Sequence, residues 1–203
     1  MKSIRCVISD LGKVIIFFDN NIFFAKMTDY CPFSKEEIQE LAFTHMDLVK
    51  SFDCGRITPL EFFNQVVQNL KASIDYDTFY SIYNDVFSLI PPVLEIMGRL
   101  KGNYRLVLLS NTDVMRYDFI KRKFPEIQIF DEYVLSYEVG FMKPHSQIYR
   151  QALKKAEAGA EECVFIDDRE ENIETAVKLG INVIHLKPQT NLESALREMD
   201  LSF

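Results

Sequence analysis

The sequence predicts an α/β protein, a parallel sheet core with a small helical cap domain inserted after the first strand. Three observations predict it. Short β-branched runs alternate with helical patterns over most of the chain. Those runs are apolar almost throughout, as in a sheet covered on both faces. Residues 10–103, strongly helical in pattern, separate the first strand from the next, where a simple crossover needs only about a dozen residues.

In chain order, residues 4–9 form the first strand, cut off by Asp10-Leu11-Gly12. Ser34-Lys35-Glu36-Glu37 is a capping box, and Ile38, Leu41, Ala42 and His45 follow it at helical spacing. Thr58-Pro59-Leu60-Glu61 opens a second helix, with Pro at its first position. Residues 75–87 give a third, and Pro91-Pro92 opens a fourth that Gly102 closes. Strands follow at residues 104–109, 163–166 and 182–186, with a weaker one at 133–136. Helical patterns at 146–158 and 170–179 lie between them, the second stopped by Gly180. The expected division is a core of residues 1–16 and 91–203 and a cap of residues 17–90.

Of 203 residues, 48% are hydrophobic and 26% charged, which excludes a disordered or fibrous chain. With 23 basic and 30 acidic residues the net charge is −7, so nucleic acid is excluded as the main partner. The early apolar run at residues 14–18 ends at Asp19, far short of the ~20 residues of a membrane-spanning helix. Cys6, Cys31, Cys54 and Cys163 are scattered and form no Cys-x-x-Cys pair, so neither a disulfide framework nor a zinc site is expected. A cytoplasmic protein with reduced thiols and no membrane partner is the expectation.

Four polar groups stand at expected strand ends or helix starts, where an open parallel sheet binds ligands. Asp10 follows the first strand, as a turn carboxylate or a reactive one. Ser110-Asn111-Thr112 ends the 104–109 strand and opens a helix, either as its N-cap or as an anion site. Lys143-Pro144 precedes the 146–158 helix. Asp167 and Asp168 end the 163–166 strand, with Asn172 four residues after Asp168. Adjacent carboxylates repel, and a pair at a buried strand end calls for a compensating cation or basic group. Hard oxygen ligands favour magnesium.

The order Asp, Ser-Asn-Thr, Lys-Pro, Asp-Asp at one sheet edge resembles the haloacid dehalogenase-like hydrolase superfamily, in its helical-cap subgroup with a Rossmann-like core. Ser136-Tyr137-Glu138-Val139-Gly140 and Val164-Phe165-Ile166-Asp167-Asp168 are also family-like, and Asp10-Leu11-Gly12-Lys13-Val14-Ile15 looks most like the bacterial α-glucose-1-phosphate phosphatase branch. The resemblance implies a magnesium-dependent phosphomonoester hydrolase acting on a small phosphorylated metabolite, such as a sugar phosphate. Asp10 is then the nucleophile, Ser110 and the Asn111 amide hold phosphoryl oxygens, and Lys143 neutralises charge. Asp10, the Gly12 carbonyl and Asp168 hold the metal, with Asp167 and Asn172 behind them. Phosphatases of the superfamily usually carry a second Asp two residues after the nucleophile, where this chain has Gly12. A tight turn there is expected to give Gly12 a positive φ. The missing acid keeps open a protein that binds phosphate ligands without useful turnover. A 2-haloacid dehalogenase, which needs no metal, fits the Asp167-Asp168 pair less well. Asp19, Asn20, Phe23, Phe24 and Arg56 are candidates for cap specificity, the two Phe more simply as core. His45, His145 and His185 form no visible constellation.

Overall fold

The computed structural model describes residues 3–202. Strand β1 (Cys6–Ser9) runs into the Asp10–Gly12 turn, and β2 (Ile16–Phe18) follows almost at once. Five helices come next: α1 (Asn20–Met27), α2 (Lys35–Thr44), α3 (Met46–Asp53), α4 (Pro59–Leu70) and α5 (Tyr76–Asn84). Strand β3 (Phe87–Leu89) returns the chain to α6 (Pro91–Leu100) and β4 (Arg105–Ser110). Then come α7 (Val114–Lys123), β5 (Glu132–Leu135), the short α8 (Ser136–Val139), α9 (Ser146–Ala156), β6 (Cys163–Asp167), α10 (Glu170–Lys178), β7 (Asn182–His185) and α11 (Leu192–Glu198).

The main sheet has the order β5-β4-β1-β6-β7, parallel throughout. The chain first builds outward on one side of β1, then crosses to the other, so the connection reverses beside β1. Alternate strand residues point to opposite faces. Val7, Leu106, Leu108, Val164 and Ile166 pack against Met97 of α6, Tyr117 of α7 and Leu196 of α11. Cys6, Ile8, Val107, Leu109 and Phe165 pack on the other face, against Tyr149 of α9 and Ala176 of α10. This double burial explains the apolar runs at the centres of the strands.

Helices α1–α5 close around a third cluster that includes Phe23, Phe52, Phe62, Phe79 and Tyr83. Phe52 stacks on Phe62 at 4.3 Å between ring centroids. Ser34 and Thr58 cap α2 and α4 with reciprocal capping boxes, as their spacing predicts. The chain enters and leaves this unit through a two-stranded antiparallel stem, Ile16 opposite Leu89 and Phe18 opposite Phe87. The predicted helix at 75–87 therefore ends early. Asp85 caps α5, and Phe87 continues as a strand because it pairs with Phe18. The expected boundary at residues 16 and 17 falls inside β2. His45 ends α2 at φ −100° and ψ 30° and separates it from α3, instead of extending the first cap helix. Among the described residues no helix is long and apolar enough to cross a membrane.

A polar cluster joins the helical unit to α7. The Tyr83 hydroxyl donates to Asp113 Oδ2 at 2.8 Å, and Arg116 Nη2 donates to Asn20 Oδ1 at 3.1 Å. The Arg116 guanidinium lies 4.4 Å from the Tyr83 ring centroid. Asp53 faces the same group. Burial, and then the Asp113 carboxylate, push its carboxyl up to about 7, against the opposing pull of Arg116. The folded protein therefore binds a proton at Asp53 more tightly than the unfolded chain does. The stability this group contributes is complete below about pH 4 and is lost as pH rises through about 7. Asp53→Asn should accordingly raise the melting temperature more at pH 8 than at pH 5. Thermal unfolding at the two pH values checks this, and equal shifts would refute it.

Candidate active site

Asp10, Gly12, Ser110, Asn111, Lys143, Asp167 and Asp168 stand at the carboxyl end of the sheet or on the loops beside it, and Asn172 lies in the first turn of α10. Asp10 follows β1, Ser110 ends β4, Lys143 lies between α8 and α9, and Asp167 ends β6. The strands carry these groups to one edge because their apolar runs must be buried along their whole length. The polar residues then begin where the sheet stops. The reversal beside β1 opens the crevice that receives them.

Lys143 is the centre of the arrangement. Its Nζ donates to Asp10 Oδ1 and to Asp167 Oδ2, both at 2.7 Å. The lysine side chain is 1% exposed, and those of Asp10 and Asp167 are 10% and 0% exposed. Burial pushes the Asp10 carboxyl up to about 6; Lys143 pulls it down and Asp167 pushes it further up. The two carboxylates in turn hold Lys143 protonated, above the ordinary lysine range, although burial opposes this. The Leu11 N–H donates to Asp10 Oδ1 at 2.7 Å and fixes that oxygen.

Asp167 is saturated. Arg169 N–H and Asn172 Nδ2 donate to its Oδ1, both at 2.9 Å, and Asn172 also reaches Oδ2 at 3.0 Å, beside the lysine. Tyr149 completes the support by donating its hydroxyl to the Asn172 carbonyl at 3.0 Å. Asn172 thus serves Asp167, although sequence spacing relates it to Asp168. The Asp168 carboxyl is half-buried and raised above its ordinary value, first by burial and then by Asp167. Its backbone carbonyl meets His185 Nε2 at 3.0 Å. Asp10, Asp167 and Asp168 each offer a carboxylate oxygen, all within 4.8 Å of one another. Lys143, with Lys13 acting on Asp168 as well, faces three carboxylates, which leaves a local excess of negative charge, and the donor set is all oxygen. Both features suit a hard divalent cation such as magnesium.

The Ser110–Thr112 segment is held by bonds the sequence did not reveal. Ser136 Oγ accepts from the Thr112 N–H and donates to the Thr112 carbonyl, each at 2.9 Å. The Asn111 side chain clamps the Lys143 backbone: Oδ1 accepts from its N–H at 2.7 Å and Nδ2 donates to its carbonyl at 2.9 Å. That side chain therefore places the lysine, and one of its two Nδ2 hydrogens is not used by the Lys143 backbone. Ser110 is 2% exposed, with only a 3.5 Å contact from Oγ to the Asn111 carbonyl. Asp113, and not Thr112, caps α7. Ser136 was visible in the sequence only as part of a longer string, because nothing local marks a serine that bonds to a loop 24 residues away.

Gly12 is partly exposed and does not take the expected positive φ. The left-handed residue of this turn is Lys13, at φ 57°. What restricts Gly12 is space, since an added Cβ would lie 3.0 Å from Phe18 Cε1. Gly55 is restricted in both ways, with φ +65° and an added Cβ 2.1 Å from the Tyr137 carbonyl oxygen. The turn after α3 is thereby seated directly on α8. Asp19 caps α1, Phe23 is buried in the helical cluster, and Phe24 packs at its margin. His145 accepts at Nδ1 from the Gln147 N–H and caps α9. A cavity of about 560 Å³ lies between α6 and Glu193, away from all of these groups.

Known proteins share this fold. A haloacid dehalogenase family enzyme from Bacteroides thetaiotaomicron superposes with TM-score 0.86 at 25% identity, over 97% of this chain and 100% of that one. The same enzyme has been solved in complex with magnesium and inorganic phosphate, and in that form it superposes at TM-score 0.79 and 23% identity over 96% of this chain and 100% of that one. Drimenol cyclase of Aspergillus calidoustus is 23% identical over 186 residues, 89% of this chain, and the chain spans only 34% of that protein. A sesquiterpene phosphatase of Aspergillus oryzae is 21% identical over 154 residues, 74% of this chain and 78% of that protein. The model of the haloacid dehalogenase-like hydrolases matches residues 4–180, from the first strand to the end of α10, and the chain belongs to that family.

Proposed function

We propose that the protein is a magnesium-dependent phosphomonoester hydrolase of the helical-cap subgroup, in or near the α-glucose-1-phosphate phosphatase branch, with residues 17–90 as the cap over a core of residues 1–16 and 91–203. The reading rests above all on the buried Asp10–Lys143–Asp167 arrangement beside Asp168. In this reading Asp10 is the nucleophile, supported by the Lys143 ammonium against it and by the neighbouring carboxylate oxygens of Asp167 and Asp168, which suit a cation. The magnesium and phosphate bound by the Bacteroides enzyme, and the phosphatase activity in the name of the Aspergillus relative, support it.

The chemistry follows from these groups. An Asp10 carboxylate oxygen attacks phosphorus as the bond to the leaving oxygen breaks, giving an aspartyl-phosphate. Water then attacks the phosphorus, breaks the acyl-phosphate bond, and releases inorganic phosphate with Asp10 restored. Lys143, Ser110 and the Asn111 backbone N–H offset the charge on the transferring oxygens, where positioning and electrostatics supply most of the rate. Magnesium, held by Asp10, Asp168 and the Gly12 carbonyl, would supply further neutralisation of that charge. Asp167, saturated by four hydrogen bonds, would orient Lys143 and Asn172. With no acid at position 12, the leaving oxygen takes its proton from water. Esters of acidic oxygens, such as a sugar's anomeric oxygen, are the better substrates.

A panel of phosphorylated metabolites assayed with and without magnesium tests this. Hydrolysis is expected with magnesium, to vanish on chelation and to return when the metal is restored. Asp168→Ala should raise the magnesium concentration for half-maximal activity more than Asp167→Ala does. No hydrolysis of any ester would instead favour a phosphate-binding protein without turnover, the reading that Gly12 keeps open, and the reverse order of the two variants would exchange the roles of the aspartates.

A further inference from the structure

Ser136 takes no part in the chemistry above, yet it is fully buried at the point where β5 turns into α8. Strand β5 pairs with β4 as far as Leu135, which stands opposite Ser110. Beyond Leu135 the chain coils into α8, so Thr112 has no strand left beside it on that side. The Ser136 hydroxyl stands in for the missing strand. It accepts from the Thr112 N–H and donates to the Thr112 carbonyl, each at 2.9 Å. A serine on a helix usually bonds within its own turn, whereas this one uses its donor and its acceptor on one residue of another element. The Asn111 side chain makes the reciprocal arrangement, gripping the N–H and carbonyl of Lys143 at 2.7 and 2.9 Å. Residues 110–112 and 136–143 are thus tied twice, once at the start of the second segment and once at its end. A single tie leaves a pivot, and two ties at separate points remove it. Lys143 is held in turn through Nζ by Asp10 and Asp167.

We infer that Ser136 is a positioning residue: by fixing Thr112 it sets where the Ser110 hydroxyl and the Asn111 backbone N–H stand relative to the Lys143 ammonium. This rests on the phosphatase reading, in which those three groups hold the transferring phosphoryl oxygens, and it adds a residue that touches neither substrate nor metal. The physical reason is preorganisation, since donors aimed at a transition state act most strongly when they need not move to meet it. Without the Ser136 hydroxyl, the N–H and carbonyl of Thr112, a residue only 6% exposed, are left unpaired. The loop can relieve them only by turning toward other partners, and Asn111 turns with it. Ser110 keeps its place opposite Leu135, so the displacement falls on Asn111 and Thr112.

Ser136→Ala tests this in the full chain with magnesium. Hydrolysis of p-nitrophenyl phosphate should fall roughly 10- to 100-fold in kcat/KM, the scale for reacting groups displaced by about an ångström. Orthovanadate, which adopts the five-coordinate geometry of the transferring phosphorus, should inhibit more weakly by a similar factor. The magnesium concentration for half-maximal activity should stay as in the wild type, because the Ser136 hydroxyl bonds to Thr112 and not to the metal-side carboxylates. A merely structural serine gives another result, in which a smaller folded fraction lowers kcat alone and leaves KM and vanadate inhibition unchanged. Unchanged vanadate inhibition, a kcat/KM within about threefold of the wild type, or a shift in magnesium requirement as large as the loss in kcat/KM overturns the proposal, and the phosphatase reading survives. Should Ser136→Ala not fold, Ser136→Cys, which fills similar space and bonds more weakly, is read in the same way. If the wild type turns over no ester, the phosphatase reading fails, and calorimetric titration with inorganic phosphate in magnesium decides. Weaker binding by Ser136→Ala upholds the placement of the loop, and equal binding, or none to the wild type, overturns it.

Discussion

Asp10→Asn is expected to lower kcat by roughly 10³-fold or more while leaving the fold intact, because the substitution removes the nucleophile and almost nothing else. The structure gives a reason to expect an intact fold. In the wild type one lysine faces two buried carboxylates, and burial together with Asp167 already pushes the Asp10 carboxyl up to about 6. Neutralising position 10 leaves Lys143 and Asp167 as a matched pair at 2.7 Å, with Asn172 and Arg169 still bound to Asp167. The amide oxygen can keep the Leu11 N–H bond that Asp10 accepts. Melting temperature at pH 7 should therefore stay level or rise while turnover disappears. Single-turnover assays and thermal unfolding on the same preparation check both halves. Residual turnover within tenfold of the wild type, in a folded variant, would remove Asp10 from the chemistry.

The parts of the fold legible in sequence were those dictated by burial on both faces. Runs such as 106–109 and 163–166 are apolar from end to end, and the residues that end them are polar because the sheet ends there. That made Asp10, Ser110 and Asp167 visible before any geometry, whereas Lys143 stood out only through the order of the four groups along the chain. The cap was legible where a helix advertises its own start, as at Ser34 and Thr58. It was not settled in α1, where Asp19, Asn20, Phe23 and Phe24 suit a pocket wall, a helix start or core packing. Nor was it in α3, which begins after His45 with no side-chain cap. The β2–β3 stem was hidden for another reason. Its two strands lie far apart in sequence, and each is three residues long. Within the site, sequence spacing related Asn172 to Asp168, whereas the start of α10 turns its amide onto Asp167. Partnerships made through space, such as Ser136 with Thr112 and Asn111 with Lys143, have no local signature at all.

Lys143→Met should have the largest effect on stability of any substitution in the site. The side chain is 1% exposed and is the only cation within ion-pair distance of Asp10 and Asp167 among the described residues. Methionine fills similar space but leaves two buried carboxylates facing each other with no counter-charge. Removing one partner of a buried pair typically costs about 3–5 kcal/mol, a large share of the total stability of a domain this size. Activity should fall as well, since the charge that offsets the transferring phosphoryl group is gone. The cost has a pH signature. Without Lys143 the folded-state pKa of Asp10 must rise above its present value of about 6, since the lysine is what pulls it down. A carboxyl raised in the folded state loses stability as pH rises, so the variant should be less impaired at pH 5 than at pH 8. Two additions separate this electrostatic account from a simple packing defect. Asp10→Asn placed on Lys143→Met removes one of the facing charges and should restore part of the lost stability. Magnesium at millimolar concentration should do the same for the single variant, because a cation among Asp10, Asp167 and Asp168 takes over the role of the ammonium group. Urea unfolding of the three proteins at both pH values, with and without magnesium, reads all of this. A loss that is independent of pH, unrelieved by Asp10→Asn and indifferent to magnesium would mean that Lys143 supports the site by its shape, and that charge balance does not hold Asp10 and Asp167 in place.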